Sequence, residues 1–184
     1  HFLLNPLCMT RNVPHQKPPC KLWNLAALAI CCLLFSTAVQ ATDFPVTNTY
    51  DAGPGSLRQA ITDANSAPAR SHRIVFNVYG EIVVSSSLPA ITTNGLVIDG
   101  QNKITLTTQG GDVGIDFFTI RSNQVVVTNI NLLNTGHIPI IISPNTTDVT
   151  IRHITANHTG GFYMDNIVYV QDASTNLTIR HLTN

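Results

Sequence analysis

Leu96-Val97-Ile98-Asp99-Gly100, Val125-Val126-Val127-Thr128-Asn129-Ile130, Val149-Thr150-Ile151-Arg152-His153-Ile154 and Leu177-Thr178-Ile179-Arg180-His181-Leu182 align with one another, and their starts recur along the chain at similar intervals. The first and third positions are always aliphatic, the sixth is aliphatic in three of the four, and the second and fourth mostly are not. That is the inside–outside alternation of a strand with one face buried. After the third position the alternation slips by one, which a tight bend explains. The fifth position carries Gly100, Asn129, His153 and His181, residue types that best tolerate a positive φ. A strand, a corner and a second strand, returning at each interval, describe one face of a solenoid coil. Equivalent strands of successive coils run the same way, so the pairing is expected to be parallel. An antiparallel sandwich would instead show more closely and evenly spaced turn signals, without aligned corners.

Working outward from these repeats, Ile115 to Ile120, Ile138 to Ile142 and Ile167 to Val170 fall between them and supply a further face. Ile74 to Val78 and Ile82 to Val84 are expected to start the stack, which then has about four coils at roughly 4.8 Å each. The expected fold is all-β: a right-handed parallel β-helix with a short N-terminal capping helix. Composition agrees. Hydrophobic residues make up 43% of the 184 and charged ones 11%, too apolar for disorder and too weakly charged for a long solvated helix. From Thr42 onward seven Lys and Arg face ten Asp and Glu, 7 − 10 = −3, and no basic patch is visible, so nucleic acid is not expected as a partner.

Upstream of the strands, Tyr50-Asp51-Ala52-Gly53-Pro54-Gly55-Ser56-Leu57-Arg58-Gln59 leads into a helix expected over 56–65. Ser56 with Gln59 three residues later is a capping-box pattern. Leu57, Ala60, Ile61 and Ala64 form one apolar stripe, which the open end of a β-stack would bury. Earlier still, Lys17 to Lys21 is basic, Leu22 to Phe35 is an apolar run, and Ser36 to Ala41 is small-residue rich. This is the order of a secretory signal peptide, with cleavage expected after Ala41 or else Ala38; the run is short for a membrane span. All four cysteines, Cys8, Cys20, Cys31 and Cys32, lie in this segment. Ile30 before Cys31 speaks against a lipidation site, and the region after position 41 has no thiol for a disulfide or a metal. The expected organisation is therefore an N-terminal extension and signal peptide over 1–41, a cap over 42–72 and β-helix coils over 73–184.

Asp51 to Asn65, read as DAGPGSLRQAITDAN, closely resembles the N-terminal cap of pectin-lyase-like, right-handed parallel β-helix repeat proteins. Leu96-Val97-Ile98-Asp99-Gly100 resembles their second landmark. The resemblance runs from about Val46 to the end and speaks to fold more than to activity. It implies a large exported protein, often an adhesin or autotransporter passenger, and in a minority a polysaccharide lyase or hydrolase. Since Leu182-Thr183-Asn184 falls inside a repeat, the β-helix is expected to continue beyond it.

Several residues are candidates for chemistry. His153 and His181 hold equivalent positions, so their rings are expected as stacked neighbours, as corner residues or as a metal or acid–base pair. Arg152 and Arg180 hold the outward fourth position with Asp99 and Thr128, as a solvated charged face or as a fork for an acidic sugar's carboxylate. Asp112, Asp116, Asp148, Asp165 and Asp172 fall in or beside the longer loops. A calcium-dependent lyase would need several of them to converge on one cation beside an Arg or Lys base. A glycoside hydrolase would need two carboxyls roughly 5 to 10 Å apart. There is no Asp-Asp pair or Gly-His-Gly, as in polygalacturonase-like enzymes, and Gly136-His137 is followed by Ile138. Asn145, Asn157 and Asn176 begin formal glycosylation sequons, though Asn stacking at corners explains several of the asparagines. No catalytic, cofactor-binding or metal residue is assigned, and calcium enters only with a lyase. The expected function is an exported surface or secreted scaffold, adhesin-like or carbohydrate-facing; the alternative is a fragment of a polysaccharide lyase or glycoside hydrolase. The expected partner is a polysaccharide or cell-surface glycan, with membrane contact only through the signal segment or a downstream anchor.

Overall fold

A computed structural model describes residues 41–68, 71–109, 114–134, 138–157 and 166–183. The signal segment up to residue 40, the four cysteines, Asp112, Asp165 and Gly136-His137 lie outside the described residues.

The chain is a parallel β-solenoid of about five turns with one short helix near its N-terminal part. In chain order the elements are β1 (Thr42–Val46), α1 (Leu57–Ser66), β2 (His72–Phe76), β3 (Gly80–Val84), β4 (Leu96–Thr108), β5 (Phe118–Ile120), β6 (Val126–Leu133), β7 (Ile140–Ile142), β8 (Thr150–Asn157), β9 (Val168–Val170) and β10 (Thr178–Thr183). One sheet runs β1-β2-β4-β6-β8-β10 with β3 beside β4, and a second runs β5-β7-β9. Every strand pairing among the described residues is parallel. The stack starts one rung earlier than the sequence pattern suggests: β1 pairs with β2 from Thr42↔His72 to Val46↔Phe76.

Inward positions stack by residue class. Ile74, Ile98, Val127, Ile151 and Ile179 form one column, and Ile104, Ile130, Ile154 and Leu182 another. Phe118, Ile140 and Val168 line the second sheet. Most are fully buried in one continuous core, each contributing about 1.5–3 kcal/mol of burial. Ile179, on the last described rung, is 37% exposed, against 0% for Ile151 beneath it. Among the described residues no helix is long and apolar enough to cross a membrane.

The corners carry the strain that the fifth position foretold. Asn129, His153 and His181 have φ of 57°, 52° and 53°. Gly100 departs from the expectation: it is not left-handed, and Gln101 and Asn102 take positive φ instead. The register explains why. Four residues, 100–103, separate Asp99 from Ile104, whereas Asn129 alone separates Thr128 from Ile130, with Asp99 facing Thr128 and Ile104 facing Ile130. The β2–β3 corner is of the long kind too, with residues 76–79 between Val75 and Gly80. Gly100 is needed for space: a Cβ there would meet Asn129 O at 2.5 Å and Ile130 Cγ1 at 2.6 Å.

A second left-handed corner precedes each repeat, at Gly95, Gln124, Asp148 and Asn176. Beside it the backbone is tied by an amide ladder. Asn94 Oδ1 accepts from Asn123 N at 2.9 Å, and Asn123 Oδ1 accepts from Thr147 N at 2.9 Å. These side chains satisfy backbone groups that the corner takes out of the sheet.

Candidate functional site

The signature motif at 51–65 is spent on the fold. Ser56 caps α1, its Oγ accepting from Gln59 N at 3.2 Å. Only half of a capping box forms, because the Gln59 side chain turns to Asp63 Oδ1 at 2.7 Å. Leu57, Ala60, Ile61 and Ala64 are the buried stripe, and α1 packs against β1 and β2. Arg58 then clamps two segments together. It donates from Nε to Asp51 O (3.2 Å), from Nη1 to Ser87 O (2.8 Å), and from Nη2 to both Asp51 Oδ1 (2.7 Å) and Ser86 O (2.8 Å). Ser85 Oγ donates to the other Asp51 oxygen. Burial pushes the Asp51 carboxyl up, but the hydrogen bonds from Ser85 and Arg58 and the Arg58 charge outweigh it, leaving it below the usual carboxylate range. At the far end of α1, Asn65 donates to Ala90 O at 2.7 Å and accepts from Thr92 N and Thr93 N at 2.9 and 3.3 Å. Gly55 has φ of 79° and no room for a Cβ, which would lie 2.2 Å from Thr47 Oγ1.

Groups available to a ligand gather on the corner edge instead. Along the outward face of the large sheet, two columns of side chains run in register. One is Asp43, Arg73, Val97, Val126, Thr150 and Thr178; the other is Pro45, Val75, Asp99, Thr128, Arg152 and Arg180. In the first column Arg73 forks onto Asp43, Nε to Oδ1 at 2.9 Å and Nη2 to Oδ2 at 2.8 Å. The Arg73 hydrogen bond, helped by the Arg73 charge, holds the Asp43 carboxyl below its usual range against the opposing effect of burial, and Asp43 in turn raises Arg73. In the second column Asp99 Oδ1 is taken by Asn129 Nδ2 (2.8 Å) and Gln101 N (2.9 Å). Arg152 and Arg180 face one another on adjacent rungs. The Thr128 hydroxyl and Arg152 Nε are buried without a hydrogen-bond partner.

His153 and His181 stack face to face, as their equivalent positions imply, with centroids 4.6 Å apart and planes 7° from parallel. Parallel planes send the ring lone pairs along parallel directions, so the pair does not converge on a single ion, which would need both nitrogens at about 2.0–2.1 Å. Among the described residues no group of three or more His, Cys, Asp and Glu could hold a metal. The loop carboxylates stand at separate corners: Asp116 leads into β5, Asp148 leads into β8 and accepts from Asn176 Nδ2, and Asp172 follows β9. Asn145 and Asn176 are exposed left-handed corner residues, and Asn157 ends β8, exposed.

Sequence reasoning did not single out two features. Where the long corners of β2–β3 and β4 stack, Phe76, Asn77, Val78, Tyr79 and Lys103 line an open cleft of about 300 Å³. Tyr79 is 80% exposed there, and Tyr50, in the segment before α1, is 72% exposed; the signal was a tyrosine at the end of a corner, just before Gly80 opens β3. The other is His72, inward-facing and buried, edge-on to Phe44 at 5.4 Å. Its Nε2 lies 3.0 Å from Pro68 O, which requires the proton on Nε2 and leaves Nδ1 without a partner. No protein-family model matches the chain, and no curated protein matches it.

Proposed function

We propose that the chain is an exported β-solenoid of the pectin-lyase-like, right-handed kind, secreted or held at the cell surface, which presents its outward columns to a polysaccharide or cell-surface glycan without transforming it. The observation that carries this reading is the registered outward face. Six strands align equivalent positions in columns, so outward side chains recur about every 4.8 Å along the stack. A repeating surface suits a repeating polymer better than a single small molecule, which is ordinarily held in a concave, largely enclosed pocket. The exposed tyrosines Tyr50 and Tyr79 add flat apolar area with a polar tip, the kind of surface on which a sugar ring rests. Export is supported by the basic, apolar and small-residue order of residues 17–41.

The test is retention of the full chain on a panel of immobilised neutral and acidic polysaccharides, with release of unsaturated or reducing ends measured alongside, with and without calcium. Retention without release is expected. Release would replace the scaffold by an enzyme, and failure to be retained on any glycan or on cells would remove the glycan-facing role.

A further inference from the structure

We propose that Asn94 is a site of spontaneous covalent modification. Attack by the Gly95 amide converts the asparagine through a succinimide into isoaspartate and aspartate, and the neighbouring rung holds this reaction in check while the corner is closed. The proposal is independent of what the outward face binds.

The sequence supplies the reactive pair. Asn94 is the one asparagine in the chain that is followed by glycine. Asparagine is among the chemically labile residues, and its deamidation begins when the next backbone nitrogen attacks the side-chain carbonyl carbon. A glycine there puts no Cβ in the way and lets the backbone turn freely. The steps balance with water as the one co-reactant. Base removes the Gly95 N–H proton, the nitrogen bonds to Asn94 Cγ, and the Cγ–Nδ2 bond breaks, the amide nitrogen taking up a proton and leaving as ammonia. Water then opens the ring at either carbonyl. One opening gives aspartate, and the other gives isoaspartate, with the main chain rerouted through the side chain.

The structure shows what stands against the reaction. Asn94 is exposed, yet both reacting groups are held by one residue of the next rung. Gly95 N donates to Asn123 O at 3.0 Å, and Asn94 Oδ1 accepts from Asn123 N at 2.9 Å. The Gly95 carbonyl is held as well, accepting from His72 N on the rung before at 3.2 Å. To close the ring, Gly95 N must leave Asn123 O and swing onto Cγ, so the reaction runs through an opened corner. The equivalent corner one rung on supplies the contrast. Asn123 has the same hold there, its Oδ1 accepting from Thr147 N while Gln124 N donates to Thr147 O, but the residue that follows it is Gln124, whose side chain hinders attack. Once formed, isoaspartate lengthens the backbone by one carbon at the corner, so the two bonds to Asn123 no longer fit together. The change is one-way and falls on the Asn94–Asn123 link of the amide ladder.

The experiment ages the full chain at neutral pH, folded and in urea, and follows the amide-to-acid mass gain at each asparagine by peptide mapping. Isomerisation at Asp99-Gly100 leaves the mass unchanged and does not interfere. In urea Asn94 should react faster than any other asparagine. In the folded chain it should slow by at least about tenfold, the scale of opening two hydrogen bonds. Asn123→Ala removes the acceptor for Thr147 N. It should speed Asn94 several-fold in the folded chain, with its rate in urea and amide exchange at α1 unchanged, which separates a loosened corner from an unfolded chain. N94D keeps an acceptor at the corner and should leave amide exchange at Asn123 as in the wild type, whereas the aged isoaspartate form should exchange faster there. Asn94 reacting no faster than Asn123 in urea would overturn the site. Equal rates folded and in urea, or an unchanged folded rate in Asn123→Ala, would overturn the hold by the neighbouring rung.

Discussion

Replacing Arg58 with Ala should loosen α1 and the segment before it from residues 85–87. The side chain makes four hydrogen bonds, two to Asp51 and one each to the carbonyls of Ser86 and Ser87. A bond from a charged donor contributes about 1.5–3 kcal/mol when well buried. Here the Arg58 and Asp51 side chains are 20% and 25% exposed, and water can replace part of what is lost, which brings each bond nearer to about 0.5–1 kcal/mol. The sum is about 3 kcal/mol, and for a chain of this length it lowers the melting temperature by about 6–12 °C. Because a solenoid can open locally, the sharper assay is hydrogen exchange, read separately at α1, at residues 85–93 and at β8. Exchange should rise at the first two and stay unchanged at β8. Arg58→Lys keeps the charge but not the fork, and should fall between. Acid gives a second reading of the same clamp. Asp51 has its carboxyl held below the usual range, so its contribution is fully present above the unfolded value of about 3.9 and is lost as pH falls through the lower folded value. In the wild type, α1 should therefore stay protected at pH 4 and loosen only in stronger acid. A loss below about 1 kcal/mol, with exchange at α1 unchanged, would refute the view that the motif is a clamp.

Three further outcomes follow from the corners and from α1. Gly100→Ala should destabilise by about 1–3 kcal/mol, seen as a lower urea midpoint, because its Cβ would drive into Asn129 O and Ile130. His153→Asn should be tolerated within about 1 kcal/mol, since Asn accepts the left-handed corner, while His153→Val should cost about 1–2 kcal/mol more; comparing the two urea midpoints checks this. Asn65→Ala should cost about 2–3 kcal/mol through three lost bonds and speed exchange at Thr92 and Thr93, and Asn65→Asp, which keeps the acceptor, should protect those two amides.

The strands were legible because solenoid burial has a strict code. Positions one and three of each repeat face a dry core, so Leu96, Ile98, Val125, Val127, Val149 and Ile151 have little freedom to vary in character. The helix was legible for the same reason, through the stripe from Leu57 to Ala64. β1 was harder to read. Thr42-Asp43-Phe44-Pro45-Val46 puts only Val46 fully inside, and an edge rung needs fewer apolar residues than a central one. Gly100 was misread as a left-handed corner because a glycine needed for close approach looks, in sequence, like one needed for positive φ. The candidate site was half legible. The repeat placed Arg152 beside Arg180 and His153 beside His181. Whether a charge is already paired depends on the neighbouring rung, as at Arg73 and Asp43, and single-strand patterns do not report that.

The corner length also changes along the stack. Across β2–β3 and across β4 the corner is four residues, and the register shifts between β4 and β6. From β6 onward it is a single left-handed residue. Beside the long corners, Tyr79 and Lys103 line the open cleft. At the one-residue corners, equivalent residues of successive rungs lie opposite one another. That is where the histidines stack and where the two arginines face each other. The corner shortens between β4 and β6, with the cleft of Tyr79 and Lys103 on the early coils and the Arg152–Arg180 and His153–His181 pairs on the later ones.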